Sequence, residues 1–172
     1  MDLYVIRHAD AGKPEGWDGD DASRPLTSLG HQQATALGEA FRQQGLSVDA
    51  ILTSPLTRTM QTATDFQAAA APDGPPPQPS DWLAPDSLRR RKLSKDLAEL
   101  GVGAVAIVGH NPDLPAYLAW LLGTEPEQIH LEKGAVALVQ FESAPDKGKG
   151  TLAWIVTPGW YLAHNPAELA AV

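Results

Sequence analysis

The chain has 172 residues, 43% hydrophobic and 20% charged, the size and balance of one soluble globular domain with one core. Its formal net charge of −8 offers nothing global to nucleic acid or an anionic membrane, so any anion-binding site must be local. It contains no cysteine, which excludes disulfides, thiolate–zinc sites and all catalysis that needs a thiolate nucleophile.

The first predicted element is a strand at 3–8, where the apolar run Leu3-Tyr4-Val5-Ile6 passes into polar sequence at Arg7-His8-Ala9. A helix is expected near 28–44, because Ala34, Leu37, Gly38 and Phe41 follow a 3.6-residue period and Gly45 supplies a stop. After a strand at 50–53, Ser54-Pro55 places a capping residue before a proline suited to the first helical position. The stretch 71–79 is too proline-rich for either regular element and reads as a connector inside one domain. A weak strand near 79–83 precedes a helix near 87–101, marked by Leu88, Leu93, Leu97 and Leu100. A strand at 104–109 leads into Asn111-Pro112, a second cap-and-proline pair, and strands at 135–142 and 151–156 follow.

Strands alternating with helices predict an α/β fold, a three-layer α/β/α sandwich with a mostly parallel sheet. The final two strands are too close in sequence for a helical crossover, so at least one runs antiparallel at an edge. Ligands of such sheets bind outside the carboxyl ends of the strands. Arg7 and His8 end the first strand, and His110 follows the strand at 104–109. Arg24 precedes the first helix, and Arg58 lies one turn into the second. All five map to one edge of the sheet. An imidazole among fixed cations is suited to meet a phosphoryl group.

Three stretches carry a resemblance. Arg7-His8, the block Ser54-Pro55-Leu56-Thr57-Arg58-Thr59-Met60-Gln61-Thr62-Ala63, and Gly109-His110-Asn111-Pro112 resemble, in that order, the three blocks of the histidine phosphatase superfamily. Arg24-Pro25-Leu26-Thr27, with no long insertion after the second helix, resembles its SixA-like phosphohistidine phosphatase branch. The resemblance implies that His8 accepts the phosphoryl group as a covalent phosphohistidine, which water then hydrolyses. It further implies that Arg7 and Arg58 clamp the phosphoryl oxygens, that His110 binds another, and that Arg24 adds a guanidinium at the rim. Neither a metal nor an organic cofactor is implied, since the arginines supply the positive charge.

Two departures bear on chemistry. Ala9 stands where the family has glycine, so the loop must accept an ordinary backbone conformation. For a general acid, Asp86 in Ala84-Pro85-Asp86-Ser87 is the one well-placed carboxyl, although it also reads as a helix N-cap. Without a firm acid, P–N cleavage is favoured over P–O cleavage, because an imidazole can be protonated before it leaves whereas an alkoxide needs a donor. The expected substrate is therefore a phosphohistidine on a protein, such as a histidine-containing phosphotransfer domain. A small phosphate ester is the alternative, and outside enzymes a non-catalytic phosphate-binding module. The lack of an insertion that could enclose a bisphosphate argues against a mutase.

Other features read as ordinary. His31, His130 and His164 have no evident partner in sequence. Asp18-Gly19-Asp20-Asp21 fails as a calcium loop, since Ala22, Ser23 and Leu29 occupy positions that need oxygen donors or glycine. It is expected to be a solvated loop over the pocket, with Trp17 against substrate. Arg89-Arg90-Arg91-Lys92 reads as the exposed side of a helix, or as a docking patch for an acidic protein partner. No Walker-type P-loop is present. With no long apolar run and an opening strand that carries Arg7, the chain is expected to be cytoplasmic, bound neither to membrane nor to nucleic acid, and monomeric.

Overall fold

Alternate residues of a strand face opposite ways, and this sets the layers. In the computed structural model, which describes residues 1–163, β1 (Asp2–Arg7) sends Leu3 and Val5 into one core and Tyr4 and Ile6 into another. The first core is completed by Leu93 and Leu97 of α3 (Arg90–Glu99) and by Leu114, Tyr117, Leu118 and Leu121 of α4 (Asp113–Leu122). The second takes Leu37 and Phe41 of α1 (Ser28–Gln43) and Ala63 and Phe66 of α2 (Thr57–Ala70). Tyr161 of a short α5 (Pro158–Ala163), which has no counterpart among the predicted elements, joins that second core. The α/β/α sandwich is thus two apolar layers on either face of one sheet.

The remaining strands are β2 (Ala50–Thr53), β3 (Gln78–Pro79), β4 (Ala104–Gly109), β5 (Val136–Gln140) and β6 (Thr151–Val156). The sheet order is β3-β2-β4-β1-β5-β6. β1, β2, β3 and β4 run parallel, while β5 is antiparallel to both β1 and β6, so antiparallel pairing is confined to one side. From β1 the chain crosses to β2 on one side, and from β4 it crosses to β5 on the other. The crevice between the ends of β1 and β4 is therefore a topological switch point. Register finishes the placement: Arg7 pairs with Gly109, and the His8 amide donates to the Gly109 carbonyl at 3.0 Å.

Helix α1 starts where its caps dictate. Thr27 Oγ1 accepts from the Gly30 amide, and Gly45, at φ 65°, follows the last turn. Gly30 is held to glycine by a close approach: a Cβ there would lie 2.0 Å from the Asp10 carbonyl oxygen.

Both cap-and-proline pairs need correction. Helix α2 begins at Thr57 behind Leu56, with no side-chain cap; Ser54 lies ahead of the cap position, its hydroxyl shared between His110 and the Leu56 amide. Helix α4 begins after Pro112, which is itself the N-cap behind a cis Asn111–Pro112 bond, and the Asn111 amide group donates to the Leu131 carbonyl instead. The weak strand expected at 79–83 is shorter and earlier, because residues 81–83 turn into a 3-10 helix. Helix α3 is trimmed at both ends, with Leu88 and Leu100 packing against the core from outside its residues.

Candidate active site

The two imidazoles meet because they end neighbouring parallel strands. Their ring centroids are 5.2 Å apart, and both side chains are buried. His8 Nδ1 lies 2.7 Å from the Ala9 carbonyl, which can only accept, so Nδ1 carries the proton and Nε2 keeps its lone pair. Burial, reinforced by Arg58, Arg7 and Lys133, pushes the His8 pKa down to about 4, against the pull of the Ala9 bond. His8 is therefore neutral near pH 7.

His110 is lowered to about 3, again chiefly by burial, then by His8, Arg58 and Arg7, with Asp21 opposing. Its Nε2 lies 2.9 Å from Ser54 Oγ. That oxygen also accepts from the Leu56 amide at 3.4 Å, which leaves the hydroxyl proton to be donated to Nε2. The ring proton of neutral His110 then sits on Nδ1, an atom buried without a hydrogen-bond partner among the described residues.

The arginines arrive from two directions. Arg7 leaves the end of β1 and donates from Nη1 to the Leu131 carbonyl, while its Nε is buried and unpartnered. Arg58 projects from the first turn of α2, donates to the Asp21 carbonyl at 2.8 Å, and likewise keeps an unpartnered buried Nε. Helix α2 is pinned to the His8 loop through Thr62, whose Oγ1 donates to the Arg58 carbonyl and accepts from the Ala9 amide at 3.1 Å. Ala9 fits that loop fully buried and without positive φ.

A rim of matched charges surrounds this floor. Asp21 pairs with Arg24 at 2.8 Å and with Arg58 at 3.2 Å, and these partners hold its carboxyl below the usual range. Arg24 is buried, but its Nε and Nη1 are occupied by Asp21 and the Ala11 carbonyl, so it braces the loop. Lys133 bridges Asp10 and the Gly12 carbonyl. Burial alone would raise the Asp10 carboxyl, yet hydrogen bonds from Lys133, Thr27 and Gly12 outweigh it and hold it low.

Arg7, His8, Arg58 and His110 are thus brought together, with Arg24 reaching them through Asp21. Asp86 is not. It sits exposed on a turn at φ 59°, and its carboxylate has no hydrogen bond or ion pair among the described residues. Nor does it cap a helix, since α3 starts four residues later behind Arg89. Its amide instead donates to the Asp113 carboxylate at 2.9 Å, and it is Asp113 whose carboxyl burial raises. Trp17 is exposed, its indole N–H bound to the Asp20 carbonyl. His31 does have a partner, Asp65, at 2.6 Å; His164 lies outside the described residues.

Several members of the site escaped sequence reasoning. Ser54 looked like a cap, and Asp21 looked like solvated loop. Lys133 stands 123 residues from Asp10, and no local signal joins them. Thr62 had a detectable signal: it lies one helical turn beyond Arg58, on the same face of α2.

Strand ends, paired imidazoles and converging arginines define a class, and residues 3–84 match the family model described as histidine phosphatase superfamily (branch 1). The chain belongs to that superfamily. It is similar to the phosphohistidine phosphatase SixA of Escherichia coli, with 24% identity over 92% of this chain and 94% of the relative. An uncharacterised protein of Picosynechococcus sp. is 33% identical, over 94% of this chain and 99% of its own length. Among solved structures, the protein histidine phosphatase SixA complexed with tungstate matches with a TM-score of 0.78 and 25% identity, covering 92% of this chain and 98% of the other.

Proposed function

We propose that the protein is a phosphohydrolase that works through a phosphohistidine on His8 and acts on phosphohistidine borne by another protein. The observation that carries the mechanism is the His8–Ala9 contact, which leaves a neutral imidazole with its Nε2 lone pair available. In the first step Nε2 attacks phosphorus, the bond to the leaving group breaks, and its electron pair departs with that group. In the second step water attacks the phosphorus, the P–Nε2 bond breaks, and the lone pair returns to His8. Arg7 and Arg58 hold the equatorial oxygens, and the His110 Nδ1–H donates to a third, as the charge on them spreads.

The substrate reading is supported by the rim. Asp21 and Asp10 are both held ionised, so neither can hand a proton to an alkoxide. A phosphohistidine leaving group takes its proton before the bond breaks and needs no such donor. The similarity to SixA points the same way. The test is to compare kcat/KM for a phosphorylated histidine-containing domain with that for a panel of sugar and glycerol phosphates. The reading predicts preference for the phosphoprotein by at least about tenfold; preference for an ester contradicts it.

One observation favours a small phosphate ester instead. Asp113, three residues past His110, has its carboxyl raised by burial, the direction that suits a general acid. On that reading Asp113→Asn loses ester turnover by about 10²-fold or more. On the phosphohistidine reading it leaves turnover of the phosphoprotein within about threefold.

A further inference from the structure

Helix α3 carries its charges in an order that stability does not explain. A helix favours acids in its first turn and bases in its last. Here Arg90, Arg91 and Lys92 open the helix, Asp96 and Glu99 lie toward its end, and Arg89 at the N-cap makes no side-chain capping bond. Leu93, Ser94 and Leu97 face the core, and all four cations from 89 to 92 are exposed. None of the four is ion-paired among the described residues; the one side-chain hydrogen bond among them there runs from Arg89 to its neighbour's carbonyl, Leu88, at 3.4 Å. Lys95, one turn on, does find an acid, Glu99 at 3.4 Å. The first four cations are therefore concentrated, without close ion pairs, and misplaced for the helix that bears them.

They are also linked to the start of α4, the helix that follows His110. The turn leading to them is tied by the Asp86 amide to Asp113, the first residue of α4, and the Arg90 charge acts on that same carboxylate. Asp113 stands three residues past His110. Beside the cations runs an open groove of about 530 Å³, floored by Leu88 and Trp120. A charged rim with a small apolar floor matches the composition of a protein-binding patch.

We propose that Arg89, Arg90, Arg91 and Lys92 with Trp120 form a docking surface for the acidic face of the protein that carries the phosphorylated histidine. This rests on the phosphohistidine reading above. A folded protein is preferred over a membrane or a nucleic acid because the chain's net charge of −8 repels an extended polyanion, whereas a local patch can meet a local acidic face.

The test is the triple variant Arg89→Glu, Arg91→Glu, Lys92→Glu, which spares Arg90 beside Asp113. Its kcat/KM is measured on a net-acidic phosphotransfer domain phosphorylated at histidine, on free phosphohistidine and on p-nitrophenyl phosphate, at low and high salt. The expected result is a fall of at least tenfold on the phosphoprotein, with both small substrates within twofold of the wild type. Wild-type turnover of the phosphoprotein falls with salt, and the variant's does not. The melting temperature is expected to hold or rise, since acids now occupy the first turn. A variant equal to wild type on the phosphoprotein, or one that loses all three activities together, overturns the docking surface and leaves the phosphohistidine reading standing. A wild-type enzyme that cleaves p-nitrophenyl phosphate but neither the phosphoprotein nor free phosphohistidine overturns both.

Discussion

Floor and rim of the candidate site differ in how their charges are matched. On the floor, His8 and His110 are neutral, and the Nε donors of Arg7 and Arg58 are buried with no partner among the described residues. On the rim, Arg24 is matched by Asp21 and Lys133 by Asp10. Burying an unmatched donor costs stability, and a native structure keeps one where function needs it. On the proposed function, recognition of an oxyanion falls to the floor. The rim braces the loop and keeps its carboxylates ionised.

The largest effect on this contrast comes from removing a floor donor. Arg7→Ala is expected to lower kcat by about 10²–10³-fold, the usual loss for one donor to a developing oxyanion. Its melting temperature should change little, because that side chain is only partly buried and gives up one hydrogen bond, to the Leu131 carbonyl. Comparable losses of activity and stability would reduce Arg7 to a packing residue.

Ser54→Ala should have a smaller effect, about tenfold in kcat, by releasing His110 from the tautomer that its hydroxyl imposes. The ¹⁵N chemical shifts of the His110 ring report this directly. The proton is expected on Nδ1 in the wild type and distributed over both nitrogens in the variant. Unchanged shifts would show that something else fixes the ring.

Effects of pH are gentler and separate the imidazoles from the carboxylates. The acid limb of kcat/KM is expected near pH 4 and not near 6.5, because the folded-state pKa of His8 is about 4. Both histidines have folded pKa values below the unfolded value of about 6.5. The unfolded chain then binds more protons below that pH, so their contribution is fully present above 6.5 and declines as pH falls toward 4 and 3. Urea midpoints should drop between pH 6.5 and 5, before the carboxylates titrate. His8→Asn should shrink that drop; an equal drop in the variant would assign it to other groups.

The contrast also explains what was legible in the sequence. Strand ends and local blocks put Arg7, His8, Arg58 and His110 on one edge, because each follows an apolar run whose length fixes where the strand stops. The rim depends on contacts between distant segments, and residue type alone does not reveal those. Lys133 with Asp10, and Asp21 with Arg58, were invisible for that reason. Asp86 sits on a turn at positive φ whose contact with the neighbouring helix is made by its amide, which residue type alone does not reveal. Ser54 misled because a serine before a proline resembles a cap, when its hydroxyl was needed by an imidazole 56 residues away.

The most direct test is to quench the enzyme during turnover of a phosphoryl-labelled substrate and locate the label by mass spectrometry at neutral pH. An acid-labile phosphoryl group is expected on Nε2 of His8, absent in His8→Asn. A label on any other residue, or turnover with no trapped label and activity retained in His8→Asn, would contradict it.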